Sequence, residues 1–211
     1  MISHLVKFIY NKQCLAIGAA FLIMGILFGN WATLIPVIKE RFLLNDATLG
    51  LIILCLPVCA ALANPISTWF IHKYGMQRMT LAGIVGMCVF YLLPVLASHP
   101  VLAGIGLFFT GTMIAFTNVS MNTCAAALEH QLKMHIMSTC HGLFSLGLMI
   151  GSLLSSSMIG MQFKPFTQSL SISVAALILA MLVKNTIYSI HDDDHSMETT
   201  ERPKFGLPKG P

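Results

Sequence analysis

The stretch "NVSMNTCAAALEHQ" occupies residues 118–131 and closes a segment that begins near Pro100 and is otherwise apolar. It places Asn118 and Asn122 one helical turn apart and then Glu129. In a hydrocarbon environment amides and acids are costly unless they face protein or a water-filled cavity. The stretch therefore predicts a membrane-spanning helix with one polar side.

The composition of the whole chain supports a membrane protein. Of 211 residues, 56% are hydrophobic and 9% are charged, and the mean hydropathy is +0.80. Repeated Gly and Pro within the apolar segments, and the lack of alternating ten-residue strands, favour helices over a barrel. About 20 apolar residues are needed to cross a bilayer. Six segments qualify: Leu15–Pro36, Ala47–Ile71, Met79–Ala97, Pro100–Leu128, Ser138–Gln162 and Thr167–Tyr188.

The basic residues of the short loops predict the orientation. A cytoplasmic N-terminus puts more Lys and Arg inside than outside, as the positive-inside rule requires. The net charge of +4 thus describes topology and gives no reason to expect nucleic acid as a partner. The inside set is Lys7, Lys12, Lys73, Arg78, Lys133 and Lys184, and the outside set is Lys39, Arg41 and Lys164. Residues 1–190 form the predicted membrane domain. Residues 191–211 form a polar cytoplasmic tail or linker whose "HDDDH" run suits solvated charge better than a metal.

The polar residues follow a pattern along the six segments. In the fourth, Gly104, Gly111, Asn118, Asn122, Ala125 and Glu129 fall within about 40° of one helical direction. In the fifth, His141, Ser145, Ser152 and Ser155 share another face, while Gly147 and Gly151 form a small-xxx-small face suited to close packing. The first segment adds Asn30 and Trp31. The third and sixth have few polar residues and are expected to be lipid-facing outer helices. This period of three predicts two three-helix repeats.

The segment Thr68–Arg78, "TWFIHKYGMQR", resembles the cytoplasmic loop signature of the major facilitator superfamily. Lys73, Gly75 and Arg78 match that signature, whereas His72 stands where the family has Asp. The stretch Met121–Ser152 is similar to the helix 4 to helix 5 region of the YbjJ-like inner-membrane transporters of that superfamily. The resemblance covers about residues 10–190 and implies an all-α membrane fold that forms the N-terminal half of a transporter in the inner membrane.

The resemblance also implies a central cavity lined by helices 1, 2, 4 and 5, a gating role for the Lys73, Gly75 and Arg78 loop, and a second six-helix half or another copy as partner. We expect a small polar or amphipathic solute to be bound there by hydrogen bonds, with no cofactor and no metal. His141 is the best candidate proton carrier because imidazole titrates near neutral pH, and Glu129 is the second. The predicted solute site consists of Asn30, Trp31, Asn118, Asn122, His141 and Ser145.

Two other functions compete with transport. A membrane-embedded enzyme would need a catalytic constellation, and the only one-turn His and Ser pair, His141 and Ser145, lacks an orienting acid on its own helix. A non-transporting truncated half or assembly subunit is the other alternative, because a complete transporter of this type is about twice as long. For Glu129, a solvated helix-end carboxylate and a buried proton-responsive group both stay open.

Overall fold

Six long helices account for most of the chain, as the sequence predicts. The computed structural model describes the backbone of residues 2–190 and the side chains of residues 6–190; the predicted tail and its "HDDDH" run lie outside the described residues. The helices are α1 (Ile2–Tyr10), α2 (Lys12–Arg41), α3 (Asp46–Tyr74), α4 (Met76–Phe90), α5 (Leu93–Leu96), α6 (Pro100–Leu132), α7 (Met137–Gly160) and α8 (Pro165–Tyr188). The six predicted segments correspond to α2, α3, α4 with α5, α6, α7 and α8. Each is long and apolar enough to cross a membrane.

The packing has the symmetry expected of two three-helix repeats. Helix α2 packs mainly against α7 and α8, and α6 packs mainly against α3 and α4. The first helix of each repeat therefore packs against the second and third helices of the other. The symmetry-related pairs α2 with α6 and α4 with α8 also touch. This reciprocal packing of the two halves confirms the two three-helix repeats that the polarity pattern predicts.

Hydrogen bonds between helix ends fix which loops share a side of the bundle. The amide of Gln13 donates to the backbone oxygen of Ser189 at 2.8 Å, and Gln77 donates to that of Ile190. At the other end, Arg41 donates to the backbone oxygen of Val95. The start of α2, the α3–α4 junction and the end of α8 thus lie together, as an even number of crossings requires.

The sequence did not predict two local features. Asn11 caps α2 by accepting hydrogen bonds from the backbone N–H groups of Gln13 and Cys14, and it separates the long helix from the short α1. The third segment is broken: α4 ends at Phe90, and α5 starts beyond a two-residue turn with Pro94 in its first turn. A proline suits a first helical turn because its missing N–H would have no partner there.

The third and sixth segments, expected to be lipid-facing outer helices, are only partly buried, and their outer position in a complete transporter stays a prediction. In this six-helix unit, 56% of residues are buried in the most apolar stretch of the third segment and 33% in α8, compared with 11% in α3 and 17% in α7. Each of α4 and α8 has one buried face and one exposed face; Val85 and Val89 are exposed on α4, and Met181 and Leu182 on α8. An all-apolar helix suits a protein interior as well as lipid, so composition could not separate the two.

Candidate functional site

The predicted site residue Asn30 lies in a fully buried polar network rather than on an open surface. Its Oδ1 accepts hydrogen bonds from Ser155 Oγ and from Gln168 Nε2, each at 2.8 Å. Its Nδ2 donates to the hydroxyl of Tyr91, and Thr33 bonds both to Ser155 and to the backbone oxygen of Asn30. The network connects α2, α7 and α8 with the turn after α4. It satisfies the Asn30 amide inside the bundle, so this side chain acts as an interhelical connector.

Trp31 is also buried next to this network. Its exposed fraction is 8%, and its ring meets the Tyr91 ring edge-to-face with 6.4 Å between centroids. The pocket that it lines has only about 10 Å³ of free space, room for about one water molecule. The structure therefore places Asn30 and Trp31 together, but in the packed interior of one end of the bundle. The prediction that both line a solute cavity is not supported by the packing of this six-helix unit.

Asn118 and Asn122 lie on the accessible side of α6. Asn118 is exposed and Asn122 is half-buried. Asn122 Nδ2 donates to Asn118 Oδ1 at 3.0 Å and to the Asn118 backbone oxygen at 2.7 Å. The Asn118 side-chain amide group keeps its own donors available, which makes the pair a hydrogen-bonding surface on an otherwise apolar helix.

The helical stripe that contains these asparagines does not form a single wall. A Cβ on Gly111 would lie 2.3 Å from the backbone oxygen of Leu56, so this part of the stripe packs directly against α3. Ala125 is buried. The stripe is thus interrupted: Gly111 and Ala125 are packed, while Asn118 is exposed and Gly104, Asn122 and Glu129 are half-buried.

His141 and Ser145 are exposed on α7. The His141 ring meets the ring of Phe21 from α2 edge-to-face, with 5.2 Å between centroids. Ser145 Oγ donates to the backbone oxygen of His141 at 3.1 Å, the usual bond of a serine to its own helix. Ser145 thus has no bond to the imidazole. Helix α2 contacts both α6 and α7, and these two helices also contact each other.

Glu129 has a structural role that the sequence did not indicate. Its Oε1 accepts hydrogen bonds from the backbone N–H groups of Ile136 at 2.6 Å and Met137 at 2.8 Å. Helix α7 begins at Met137, and its N-cap residue Ile136 has no side-chain acceptor. The carboxylate supplies that acceptor and a favourable charge at the positive end of the helix. This bonding adds to the helix-end interpretation, and the proton-responsive role of Glu129 stays a prediction.

Comparison with known proteins identifies the family of this chain. The sequence profile of the Major Facilitator Superfamily matches residues 16–207, which include α2 from its second turn onward and all the later helices. The chain belongs to the Major Facilitator Superfamily. It is accordingly a multi-pass membrane protein, and the transport-related resemblance of its sequence is confirmed at the level of the superfamily.

Three relatives are similar to it. An uncharacterized MFS-type transporter of Yersinia pestis is 30% identical over 199 residues, which cover 94% of this chain and 50% of the relative. An uncharacterized transporter of Sinorhizobium fredii is 29% identical, covering 64% of this chain and 36% of the relative, and Membrane protein MosC of Rhizobium meliloti is 29% identical, covering 64% and 33%. The chain spans about half the length of the first relative, and the matched stretches span about a third of the other two. No solved structure matches the chain.

The superfamily loop signature lies at the junction of α3 and α4. Gly75 has φ of 88°, a conformation that favours glycine, and it ends α3 and starts α4 within one residue. Lys73 is exposed, with its Nζ 4.9 Å from the centre of the Trp69 ring. Arg78 is exposed in the first turn of α4. The gating role of these residues stays a prediction.

Sequence reasoning missed three members of the buried network: Thr33, Tyr91 and Gln168. Gln168 lies in the first turn of α8, and Tyr91 lies in the turn after α4. Gln168 Oε1 has no partner within the described residues, although Gln168 Nε2 donates to Asn30. The position of Tyr91 and Gln168 near the ends of their spans was the available signal.

Proposed function

We propose that this chain is the N-terminal six-helix half of a major facilitator transporter that moves a small polar or amphipathic solute by alternating access. The observation that carries the proposal is the exposure of polar side chains, Asn118, His141 and Ser145, within long apolar helices. Lipid leaves such groups without hydrogen bonds, so the surface that holds them must face water or another protein. The first relative is about twice as long as the stretch that matches this chain, so its remainder is long enough to form the half that would cover this surface.

In this proposal Asn118, Asn122, His141 and Ser145 bind the solute by donating and accepting hydrogen bonds. The two pairs lie on α6 and α7, which contact each other and α2, and this supports one shared pathway. Asn30 and Trp31 support the wall by fixing the helices behind it. The YbjJ-like subgroup, the inner membrane and the cytoplasmic termini belong to the same proposal, on the basis of the Met121–Ser152 stretch and the loop charges.

The second half would cover the apolar faces that this unit leaves exposed. On α3, a continuous stripe at Leu51, Leu54, Val58, Leu62 and Ile66 is exposed, and all five follow helical spacing. On α7, Leu146, Met149 and Leu153 are exposed in the same way. A second six-helix half, or another copy of this chain, would pack on these two helices and enclose the polar surface.

An enzymatic role has less support. Ser145 bonds to a backbone oxygen, and an activated nucleophile would need a bond to a base. The superfamily membership favours a transporter over an enzyme.

Cysteine accessibility tests whether the polar surface is wet. Cys55 is the one native cysteine of the chain that is not buried, so a Cys55→Ala background leaves only buried thiols. In membrane vesicles from cells that produce the chain, we expect Asn118→Cys, Asn122→Cys and Ser145→Cys to react with a charged methanethiosulfonate at least about tenfold faster than an apolar control, since the thiolate that reacts forms only in water. The control is Val89→Cys, whose native side chain is 53% exposed on an apolar face of α4. Equal rates at all four positions would contradict a water-filled pathway.

Solute uptake tests the transport function and its coupling. Vesicles would contain either this chain alone or this chain joined to the C-terminal half of a full-length relative, and a defined mixture of sugars, amino acids and organic acids would be read by mass spectrometry. We expect uptake only with both halves. If His141 carries the proton, collapsing the pH gradient abolishes uptake, and His141→Gln removes that dependence. Uptake that is unchanged when the gradient collapses would eliminate proton coupling through either His141 or Glu129.

A further inference from the structure

The outer surface between α4 and α8 contains a groove that the proposed transport function does not use. Its volume is about 610 Å³. The floor and walls are apolar and include the small residues Ala82 and Ala180. Three residues at one end are polar or charged: Arg78, Lys184 and Tyr188.

The two basic residues lie at the same end of the groove because the helices run in opposite directions. Arg78 is in the first turn of α4, and Lys184 is near the end of α8. Lys184 Nζ lies 6.0 Å from the centre of the Tyr188 ring. Both basic side chains are exposed. They therefore form a cationic end on an apolar groove.

Among residues 6–190 no carboxylate neutralises this end. The carboxylates in that range are Glu40, Asp46 and Glu129, and none of them lines the groove. Asp46 pairs with Lys39 in the last turn of α2, on the opposite side of the bundle. Glu129 caps α7. The charge that residues 6–190 give this groove is thus complementary to an anion.

The length of the groove suits one leaflet of a bilayer. From Arg78 to Gly86 the helix rises about 12 Å, and from Tyr188 to Leu177 it rises about 16 Å, at 1.5 Å per residue. A hydrocarbon leaflet is about 15 Å thick, half of the 30 Å core. A headgroup at the charged end would therefore leave an acyl chain in contact with the apolar part.

We propose that this groove binds one anionic phospholipid, with its phosphate between Arg78 and Lys184 and an acyl chain along Leu81, Val85 and Leu177. Basic pockets between membrane helices bind anionic headgroups by this combination of charge and apolar contact. The site lies on the side of the bundle that contains the α3–α4 junction. It shares Arg78 with the loop signature, but it contains none of the proposed solute-binding residues.

Native mass spectrometry of the purified chain in detergent tests the proposal. The lipids would be palmitoyl-oleoyl phosphatidylglycerol and, as the zwitterionic control, palmitoyl-oleoyl phosphatidylcholine. We expect the anionic lipid to bind more tightly, and Arg78→Gln and Lys184→Gln each to weaken it roughly fivefold, as expected for one charge near a membrane surface. Arg78→Lys and Lys184→Arg keep the charge and should retain the preference. Ala82→Phe fills the groove and should weaken both lipids.

The matched control is Lys164→Gln, at the opposite end of α8, which should leave lipid binding unchanged. An unchanged preference in the Arg78→Gln and Lys184→Gln variants overturns the proposal. So does displacement of the lipid by inorganic phosphate alone, which would indicate a free-anion site. A third result would also overturn it: the chain forms a dimer in place of the lipid complex, and Ala82→Phe disrupts that dimer. The groove would then bind a second copy of the chain. Circular dichroism establishes that each variant is folded.

Discussion

Replacing Gly151 with alanine is expected to lower the free energy of unfolding by about 1–3 kcal/mol, the usual cost of overpacking. A Cβ on Gly151 would lie 2.2 Å from the backbone oxygen of Ile26. The clash is reciprocal, since a Cβ on Gly25 would lie 2.1 Å from the backbone oxygen of Phe144. A backbone atom cannot move aside as a flexible side chain can, so α2 and α7 must separate. SDS-driven unfolding in mixed micelles, followed by circular dichroism, measures the loss.

The same helix provides a control with the opposite sign. A Cβ on Gly142 would meet nothing within 4 Å. Gly142→Ala should therefore stabilise the chain by up to about 1 kcal/mol, because alanine has the higher helix propensity. Equal effects of Gly142→Ala and Gly151→Ala would refute the close approach of α2 and α7.

Replacing Asn30 with leucine should also destabilise the fold, by about 1–3 kcal/mol. The substitution removes the acceptor of Ser155 and Gln168 and the donor to Tyr91, and it leaves these buried groups with fewer partners. Unfolding in mixed micelles again gives the free energy. A change below about 0.5 kcal/mol, typical of an uncoupled surface position, would show that the network contributes no net stability.

Asn118→Leu is the matched variant, and it should have the reverse profile. The Asn118 side chain is exposed, and Asn122 would keep its bond to the backbone oxygen of residue 118. We expect little change in the free energy of unfolding but a loss of solute uptake by the two-half vesicles. If Asn118→Leu destabilises the chain as much as Asn30→Leu does, Asn118 is a structural residue and the proposed pathway loses its main contact.

Local sequence patterns predicted the features that depend on one helix at a time. The six spans follow from the lengths of the apolar segments, and the Gly147 and Gly151 face was correctly predicted to pack closely because small residues recur four apart. Gly75 was identified by its signature, and its positive φ gives the physical reason for it. Helix ends were less exact: α6 continues to Leu132, four residues beyond the predicted end.

The candidate site depended on features that no local pattern contains. Gly25 and Gly29 of α2 meet the backbone of α7, as Gly147 and Gly151 of α7 meet that of α2, and the Gly147 and Gly151 pattern could not identify this partner helix. Glu129 caps the following helix because the α6–α7 loop returns the chain to it. The buried network needed Gln168 and Tyr91, which are distant from Asn30 in sequence.

The sequence by itself determined the solvent and the secondary structure of this protein, because hydrocarbon demands long apolar segments whose backbone groups bond within their own helices. Only the tertiary structure decided whether each asparagine side chain is buried or exposed. Asn30 and Asn118 are the same residue type in similar apolar surroundings, yet one is buried and bonded to three neighbours while the other is exposed. The difference arises from which helices lie opposite each side chain, and that is a property of the packed bundle.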